Sequence, residues 1–245
     1  LATSGSTAQF SNKNVGTRTV TVSGLTLTGS DVVYYTIGAQ TTTAEITKKA
    51  LTVTDAVAKN KVYDGNMDAE ITGAVLEGVV DDEDVALVTP MAGAFADEDA
   101  GTGKAVNASL ELTGADIGNY SLTQPVGLTA DITPKPLTVT DAVAAGKVYD
   151  GNTDAVITGA VLNGVVGSDV VNLVAPMAGA FADKNAGTGK AVTGTLELAG
   201  ADIANYSLIQ PSGLTADITK AVLTVTDAVA DNKVYDGTAV ATISD

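Results

Sequence analysis

The chain has 245 residues and a net charge of −16, and it contains no cysteine, histidine or tryptophan. These absences exclude disulfides, thiol chemistry and the imidazole groups that most often act in acid–base catalysis or bind metals. The acidic balance argues against nucleic acids and anionic membranes as partners, because both attract basic proteins. No segment approaches the roughly 20 apolar residues of a membrane span, so we predict no membrane insertion.

The sequence is a tandem repeat. Lys-Val-Tyr-Asp-Gly occurs at 61–65, 147–151 and 233–237, in two steps of 86 residues, and a fixed period of this kind is typical of repeat architectures. We expect each complete repeat to be a small independent domain and the chain to be an excerpt of a longer protein. The repeats divide it into the second half of one repeat, two complete repeats and an opening fragment, at 1–48, 49–134, 135–220 and 221–245.

In chain order, the first complete repeat alternates short apolar–polar segments with glycine-rich turns. Leu51 and Val53, for example, alternate with threonines, as in a half-buried strand, and helix is poorly supported by the threonine, valine and glycine content. The pattern predicts an all-β fold made of tandem Ig-like antiparallel β-sandwich repeats joined end to end. The predicted strands are 51–57, 60–63, 69–77, 84–88, 92–95, 104–112, 119–124 and 127–132.

A tyrosine near the end of each repeat sharpens this fold prediction. Tyr120 lies between Asp116 and Leu122 in the order Asp-x-small-x-Tyr-x-apolar, which resembles the tyrosine corner of Ig-like domains, where the hydroxyl bonds to nearby backbone. The alternative is an ordinary buried tyrosine on an edge strand. We assign structural roles to the tyrosines and to the glycines of the Asp-Gly turns, namely Tyr35, Tyr63, Tyr120, Tyr149, Tyr206, Tyr235, Gly65, Gly151 and Gly237.

The connections between repeats are short. Residues 131–137 pass from the closing strand of one repeat to the opening strand of the next and include Pro134 and Pro136, which favour a stiff, extended link. The junctions at 46–50 and 218–222 are equally short but lack proline. Domains joined in this way contact mainly their neighbours, and we expect an extended rod.

Several separated motifs resemble a known family. Lys-Val-Tyr-Asp-Gly, Phe-Ala-Asp-Lys-Asn-Ala-Gly-Thr-Gly-Lys at 181–190 and the closing Gly-Leu-Thr-Ala-Asp-Ile-Thr are similar to YDG/MBG-type repeats. These repeats occur in tandem in very large bacterial surface proteins, including filamentous-haemagglutinin-like adhesins. The resemblance implies an extracellular, cell-surface stalk or filament that extends an adhesive tip. The implied partners are neighbouring repeats and, in a fibre, other copies, with the host or surface ligand bound elsewhere in the parent protein.

Two alternatives to the stalk remain open at this point. In the first alternative, the repeats themselves bind a glycan, a host protein or an ice or mineral face. In the second, they assemble into a fibre or a surface lattice. The two complete repeats keep their apolar positions and turns while exposed positions vary, as at Glu70 and its counterpart Val156. This variation favours a scaffold over a binding surface.

The opening loop of each repeat suggests two kinds of chemistry. Asp64, Asn66 and Asp68 present alternating oxygen ligands that suit calcium, but the loop lacks the glycine and the terminal acidic residue of an EF-hand. The second kind is acid–base catalysis by the Tyr-Asp-Gly triplet, but the sequence pattern places no nucleophile or electrophile near it. We therefore predict a hairpin turn with no metal, no cofactor, no catalytic residue and no enzymatic activity.

A covalent crosslink is a third alternative, because surface proteins of this kind sometimes join a lysine to an asparagine through a self-formed isopeptide bond. Burial would lower the pKa of the amine and make it a nucleophile. The natural pairs are Lys61 with Asn119 and Lys147 with Asn205. The simpler interpretation is a lysine whose stem lies along the sheet surface.

Overall fold

The computed structural model describes residues 2–244, which form β-strands joined by turns and three short 3-10 helices. The prediction of an all-β repeat fold is confirmed. One compact unit ends at Lys135 and a second begins at Pro136. The first unit holds the half repeat and the first complete repeat, and the second holds the remaining repeat and the closing fragment.

The half repeat is a three-stranded antiparallel sheet in the order β1-β2-β3. Val20 is its buried apolar residue, and a 3-10 helix covers Val32–Tyr34. The strands are β1 (Thr7–Phe10), β2 (Gly16–Ser23) and β3 (Gln40–Ile46).

The first complete repeat contains a six-stranded sheet and a three-stranded sheet, with a 3-10 helix at Ile117–Asn119. Its strands are β4 (Lys49–Thr54), β5 (Val57–Ala58), β6 (Lys61–Val62), β7 (Asp68–Thr72), β8 (Val75–Glu77), β9 (Ala86–Leu87), β10 (Met91–Phe95), β11 (Gly101–Ser109), β12 (Leu112–Thr113), β13 (Tyr120–Leu122) and β14 (Leu128–Thr133). The large sheet has the order β5-β7-β10-β11-β14-β6, the small sheet has the order β13-β4-β8, and β9 pairs with β12.

The second complete repeat has the same layout, with a 3-10 helix at Ile203–Asn205. Its strands are β15 (Lys135–Thr140), β16 (Val143–Ala144), β17 (Lys147–Val148), β18 (Asp154–Thr158), β19 (Val161–Asn163), β20 (Asn172–Leu173), β21 (Met177–Phe181), β22 (Gly187–Gly194), β23 (Leu198–Ala199), β24 (Tyr206–Leu208) and β25 (Leu214–Thr219). The closing fragment adds the hairpin of β26 (Val229–Ala230) and β27 (Ile243–Ser244).

The core of a complete repeat lies between its two sheets. In the second repeat, Ile157, Phe181 and Ile218 on the large sheet are almost fully buried, and Val139 and Leu208 of the small sheet pack against their cluster. Alternate residues of each strand thus face inward, as expected for a two-layer sandwich. Burial of this alternating set is the main stabilising contribution that the chain provides, since it has no cysteine.

Two predicted strands are each broken in two. Asp55 has a φ of 57° and separates β4 from β5, while Gly73 has a φ of 72° and separates β7 from β8. A Cβ atom on Gly73 would lie 2.8 Å from the carbonyl oxygen of Asp55, so only glycine fits there. At this corner both strands leave one sheet and enter the other, which closes the edge of the sandwich.

Two pairings in the first complete repeat are parallel, which differs from the purely antiparallel sandwich that we expected. β4 pairs in parallel with β13, and β6 pairs in parallel with β14. The remaining pairs within the large sheet are antiparallel. Parallel pairs need a long connection, and nearly the whole repeat separates β4 from β13.

Candidate functional site

The loop after β6 is closed by a lysine of the same motif. The ammonium group of Lys61 donates hydrogen bonds to Oδ1 of Asp64 at 2.8 Å, to Oδ1 of Asn66 at 2.9 Å and to the carbonyl oxygen of Asn66 at 2.7 Å. The same oxygen atoms of Asp64 and Asn66 accept backbone N–H groups of the loop. We call residues 61–68 the lysine loop, together with the matching residues 147–154.

The second complete repeat has the same arrangement. The ammonium group of Lys147 lies 2.9 Å from Oδ1 of Asp150 and donates to Oδ1 of Asn152 at 2.6 Å. These contacts, first from Lys147 and then from the N–H of Asn152, hold the pKa of the Asp150 carboxyl below its ordinary value. Because Lys147 is only 17% exposed and lies 5.6 Å from the ring centre of Phe181, the charge is held against an aromatic face.

The lysine loop clarifies the calcium alternative. The oxygens of Asp64 and Asn66, which we considered as metal ligands, already surround an ammonium group. Residues 2–244 contain no group of three or more acidic, histidine or cysteine side chains that could hold a metal ion. The oxygen atoms of this turn thus have a cation that the chain itself supplies.

The glycines and tyrosines of the three motif copies lie in different surroundings. Gly65, Gly151 and Gly237 all have positive φ, between 73° and 85°, at the turn. Tyr63 is 4% exposed, whereas Tyr149 is 40% exposed and Tyr235, in the closing fragment, is 92% exposed. The turn conformation is therefore shared by all copies, but the burial of the preceding tyrosine is not.

The second tyrosine of each complete repeat ties distant loops together. Tyr120 is 3% exposed; its hydroxyl accepts the N–H of Val80 at 3.1 Å and donates to Oε2 of Glu83 at 2.5 Å. The bond to Glu83, followed by burial, raises the pKa of Tyr120. The hydroxyl thus bonds to backbone, as predicted, but its partner is Val80, 40 residues upstream, rather than a residue just upstream as in a tyrosine corner.

Tyr206 repeats this arrangement in the second complete repeat. It is 6% exposed, accepts the N–H of Val166 at 2.9 Å and donates to Oδ2 of Asp169 at 2.5 Å. By contrast, Tyr35 at the matching position of the half repeat is 68% exposed. The tyrosine is thus buried in the two complete repeats, where the first half of the repeat supplies the loop to which its hydroxyl bonds.

Asn119 connects the half repeat to the first complete repeat. Its Oδ1 accepts the backbone N–H of Val15 at 3.0 Å, and its Nδ2 lies 3.4 Å from Oδ1 of Asn14. Beside it, the ammonium group of Lys13 lies 2.8 Å from Oε1 of Glu83. Hydrogen bonds from Lys13 and then from Tyr120 hold the pKa of the Glu83 carboxyl below its ordinary value.

These contacts do not support the proposed isopeptide crosslinks. The Lys61 ammonium group bonds within its own loop, and Asn119 bonds to the half repeat. Lys147 likewise bonds to Asn152, while Asn205 is buried on a different element, the 3-10 helix before β24. An isopeptide bond requires the amine to contact the carboxamide that it attacks. In both repeats the lysine amine instead contacts an aspartate and an asparagine of its own loop.

Sequence reasoning missed a glutamine that is identical in both complete repeats. The side-chain amide of Gln124 accepts the N–H of Leu110 at 2.9 Å and donates to the carbonyl oxygen of Leu110 at 2.7 Å. Gln210 makes the same pair of bonds with Leu196, at 2.8 and 2.7 Å. The side-chain amide thereby makes the two hydrogen bonds that the backbone of a neighbouring strand would otherwise make to the leucine. Its signal in the sequence is a Gln-Pro pair that recurs after 86 residues.

A second lysine in each complete repeat was missed as a loop-closing residue. Lys104 bonds to Oδ1 of Asp97, and Lys190 bonds to Asp183 in the same way. Both lysines are 13% exposed. The recurring Phe-Ala-Asp and Gly-Thr-Gly-Lys segments, which we used only for the family resemblance, therefore form a second ion-paired loop.

The comparisons with known proteins identify the repeat. A family model described as the YDG domain matches three successive segments, residues 1–44, 47–127 and 133–214. No curated protein and no solved structure matches the chain. Among the residues that the structure describes, no helix has the length and apolar character that crossing a membrane requires.

Proposed function

Because the chain belongs to the YDG domain family, we propose that it is a stalk segment of a large bacterial surface adhesin. In this proposal the repeats lie outside the cell and carry tension between the cell and an adhesive tip that lies elsewhere in the parent protein. They act mechanically and catalyse no reaction.

The observation that carries the proposal is the parallel pairing of the strands at the ends of the first complete repeat. Tension enters at the amino end of β4, near Lys49, and leaves at the carboxyl end of β14, near Thr133. β4 is paired in parallel with β13, and β14 is paired in parallel with β6. When two parallel strands are pulled from opposite ends, one strand slides along the other. All the hydrogen bonds between them then carry the load at the same time.

An antiparallel hairpin behaves differently, because a pull on its two open ends breaks one bond at a time. The β1–β2 and β10–β11 hairpins have this arrangement. The lysine loop adds to the resistance, since it holds the turn directly after β6 through three bonds. The end strands are thus arranged to resist a pull along the chain.

Single-molecule force spectroscopy tests the proposal. With the termini as anchors, we expect two main unfolding events, each releasing roughly 250 Å, since 86 residues extend to about 300 Å and a folded repeat spans about 40 Å. The control pulls on cysteines introduced in place of Ala92 and Ser109, which lie opposite one another at the open end of the β10–β11 hairpin. The natural chain contains no cysteine that would compete with them. Pulling there should open the repeat at a clearly lower force, and equal forces in the two geometries would contradict a load-bearing role.

A further inference from the structure

The contact between the half repeat and the first complete repeat has a receiving surface and an incoming loop. The receiving surface consists of Glu83, Asn119 and Tyr120. The incoming loop, residues 12–15, supplies the Lys13 ammonium group and the Val15 N–H. Both sides lie within one compact unit.

We infer that this receiving surface is the docking site for the preceding repeat of the stalk, and that the charge of the residue at the position of Lys13 sets how tightly the two repeats hold together. The inference rests on the proposed stalk function, because it names the partner and the regulation of the junction between its repeats.

The receiving surface is already ordered by contacts within its own repeat. One carboxylate oxygen of Glu83 accepts the hydroxyl of Tyr120, whose own oxygen accepts the N–H of Val80. Glu83 is 9% exposed, whereas Lys13 is 72% exposed. Docking therefore orders one flexible lysine against a carboxylate that is fixed beforehand, which lowers the entropic cost of the contact.

The incoming position changes sign between repeats while the receiving position stays acidic. One phenylalanine recurs at the same repeat position, as Phe10, Phe95 and Phe181. The residue three positions after it is Lys13 in the half repeat, Glu98 in the first complete repeat and Lys184 in the second. The counterpart of Glu83 in the second complete repeat is Asp169. A repeat with lysine at this position brings attraction to an acidic receiving surface, and a repeat with glutamate brings like charge. The single residue at this position can thus determine whether a junction of the stalk is stiff or loose.

Amide hydrogen exchange of the whole chain measures this junction directly, because the Val15 N–H is bonded across it. Under conditions in which exchange follows the local opening equilibrium, we expect Lys13→Glu to accelerate exchange at Val15 by roughly three- to tenfold, as the loss of an exposed ion pair and the gain of like charge imply. Amides within β2 should be unaffected. In a Glu83→Gln background, whose amide oxygen can still accept the Tyr120 hydroxyl, Lys13→Glu should accelerate exchange at Val15 by less than it does in the natural chain.

Lys184→Glu is the matched control, because it makes the same change in net charge at a lysine that forms no ion pair within residues 2–244. An unchanged Val15 rate in Lys13→Glu, an equal acceleration in Lys184→Glu, or an undiminished effect of Lys13→Glu in the Glu83→Gln background would overturn the inference. Force spectroscopy probes the interior of a repeat, whereas this measurement probes the junction. Each of the two proposals can therefore fail while the other holds.

Discussion

The same leucine occupies one position in three copies of the repeat but lies in very different surroundings. Leu51 and Leu137 are 0% exposed, at the centre of the small sheet in the two complete repeats, whereas Leu223 in the closing fragment is 93% exposed. Replacing each with alanine removes the same atoms. The three variants therefore separate the effect of burial from the effect of the sequence.

The magnitudes follow from burial. Leu51→Ala and Leu137→Ala each remove a fully buried side chain and leave a cavity, which costs about 3–5 kcal/mol, while Leu223→Ala should change stability by less than about 0.5 kcal/mol. For a domain of this size, 1 kcal/mol lowers the thermal midpoint by about 4–8 °C. Either core substitution should therefore lower the midpoint of its own repeat by more than about 10 °C.

Differential scanning calorimetry of the whole chain can resolve this, because each complete repeat has its own core. We expect Leu51→Ala and Leu137→Ala each to move about half of the unfolding enthalpy to lower temperature and to leave the rest in place. Leu223→Ala should give the scan of the natural chain. A Leu223→Ala effect as large as that of Leu137→Ala, or a single transition that moves as a whole, would refute the assignment of separate cores.

Three further predictions concern polar contacts. Tyr206→Phe removes the acceptor of the Val166 N–H and should cost about 1–3 kcal/mol in a denaturant titration, against about 3–5 kcal/mol for Tyr206→Ala; equal costs would show that the hydroxyl contributes nothing. A calcium chelator should leave both midpoints unchanged, and a drop reversed by calcium but not by magnesium would revive the metal alternative. Because the pKa of Asp150 is lowered in the folded state, its contribution is complete above the ordinary value of 3.8 and is lost as the pH falls through the folded-state pKa. Acid titration of Asp150→Asn should then show a weaker fall in midpoint below about pH 4 than the natural chain shows.

Local pattern was sufficient to predict the fold class and most strand positions. The alternation around Leu51 and Val53 and the spacing of the turns indicated short strands, and these exist. The corner at Gly73 was not predicted, because its need for glycine comes from the carbonyl oxygen of Asp55, 18 residues earlier in the chain. A single sequence shows the glycine but not the close approach.

The partners of the polar groups were harder to predict than their positions. The motif placed Lys61, Asp64 and Asn66 within six residues, so a cation among oxygen ligands was foreseeable. We predicted a simple hairpin turn instead, with a metal and a lysine–asparagine crosslink only as alternatives, and did not join the lysine to these oxygens. Glu83 is the partner of Tyr120 from 37 residues away, and nothing local indicates it. The parallel pairing of β4 with β13 escaped prediction for the same reason, because it depends on the path of the whole repeat.

The lysine loop affects how such a stalk would respond to its surroundings. A turn held by a bound divalent ion stiffens or softens as the concentration of that ion changes, and competing chelators can strip it. The cation that closes residues 61–68 is covalently attached to β6, so its local concentration is fixed by the chain itself. Dilution, chelators and ion exchange cannot remove it. The turn should therefore stay closed whether or not divalent ions are present.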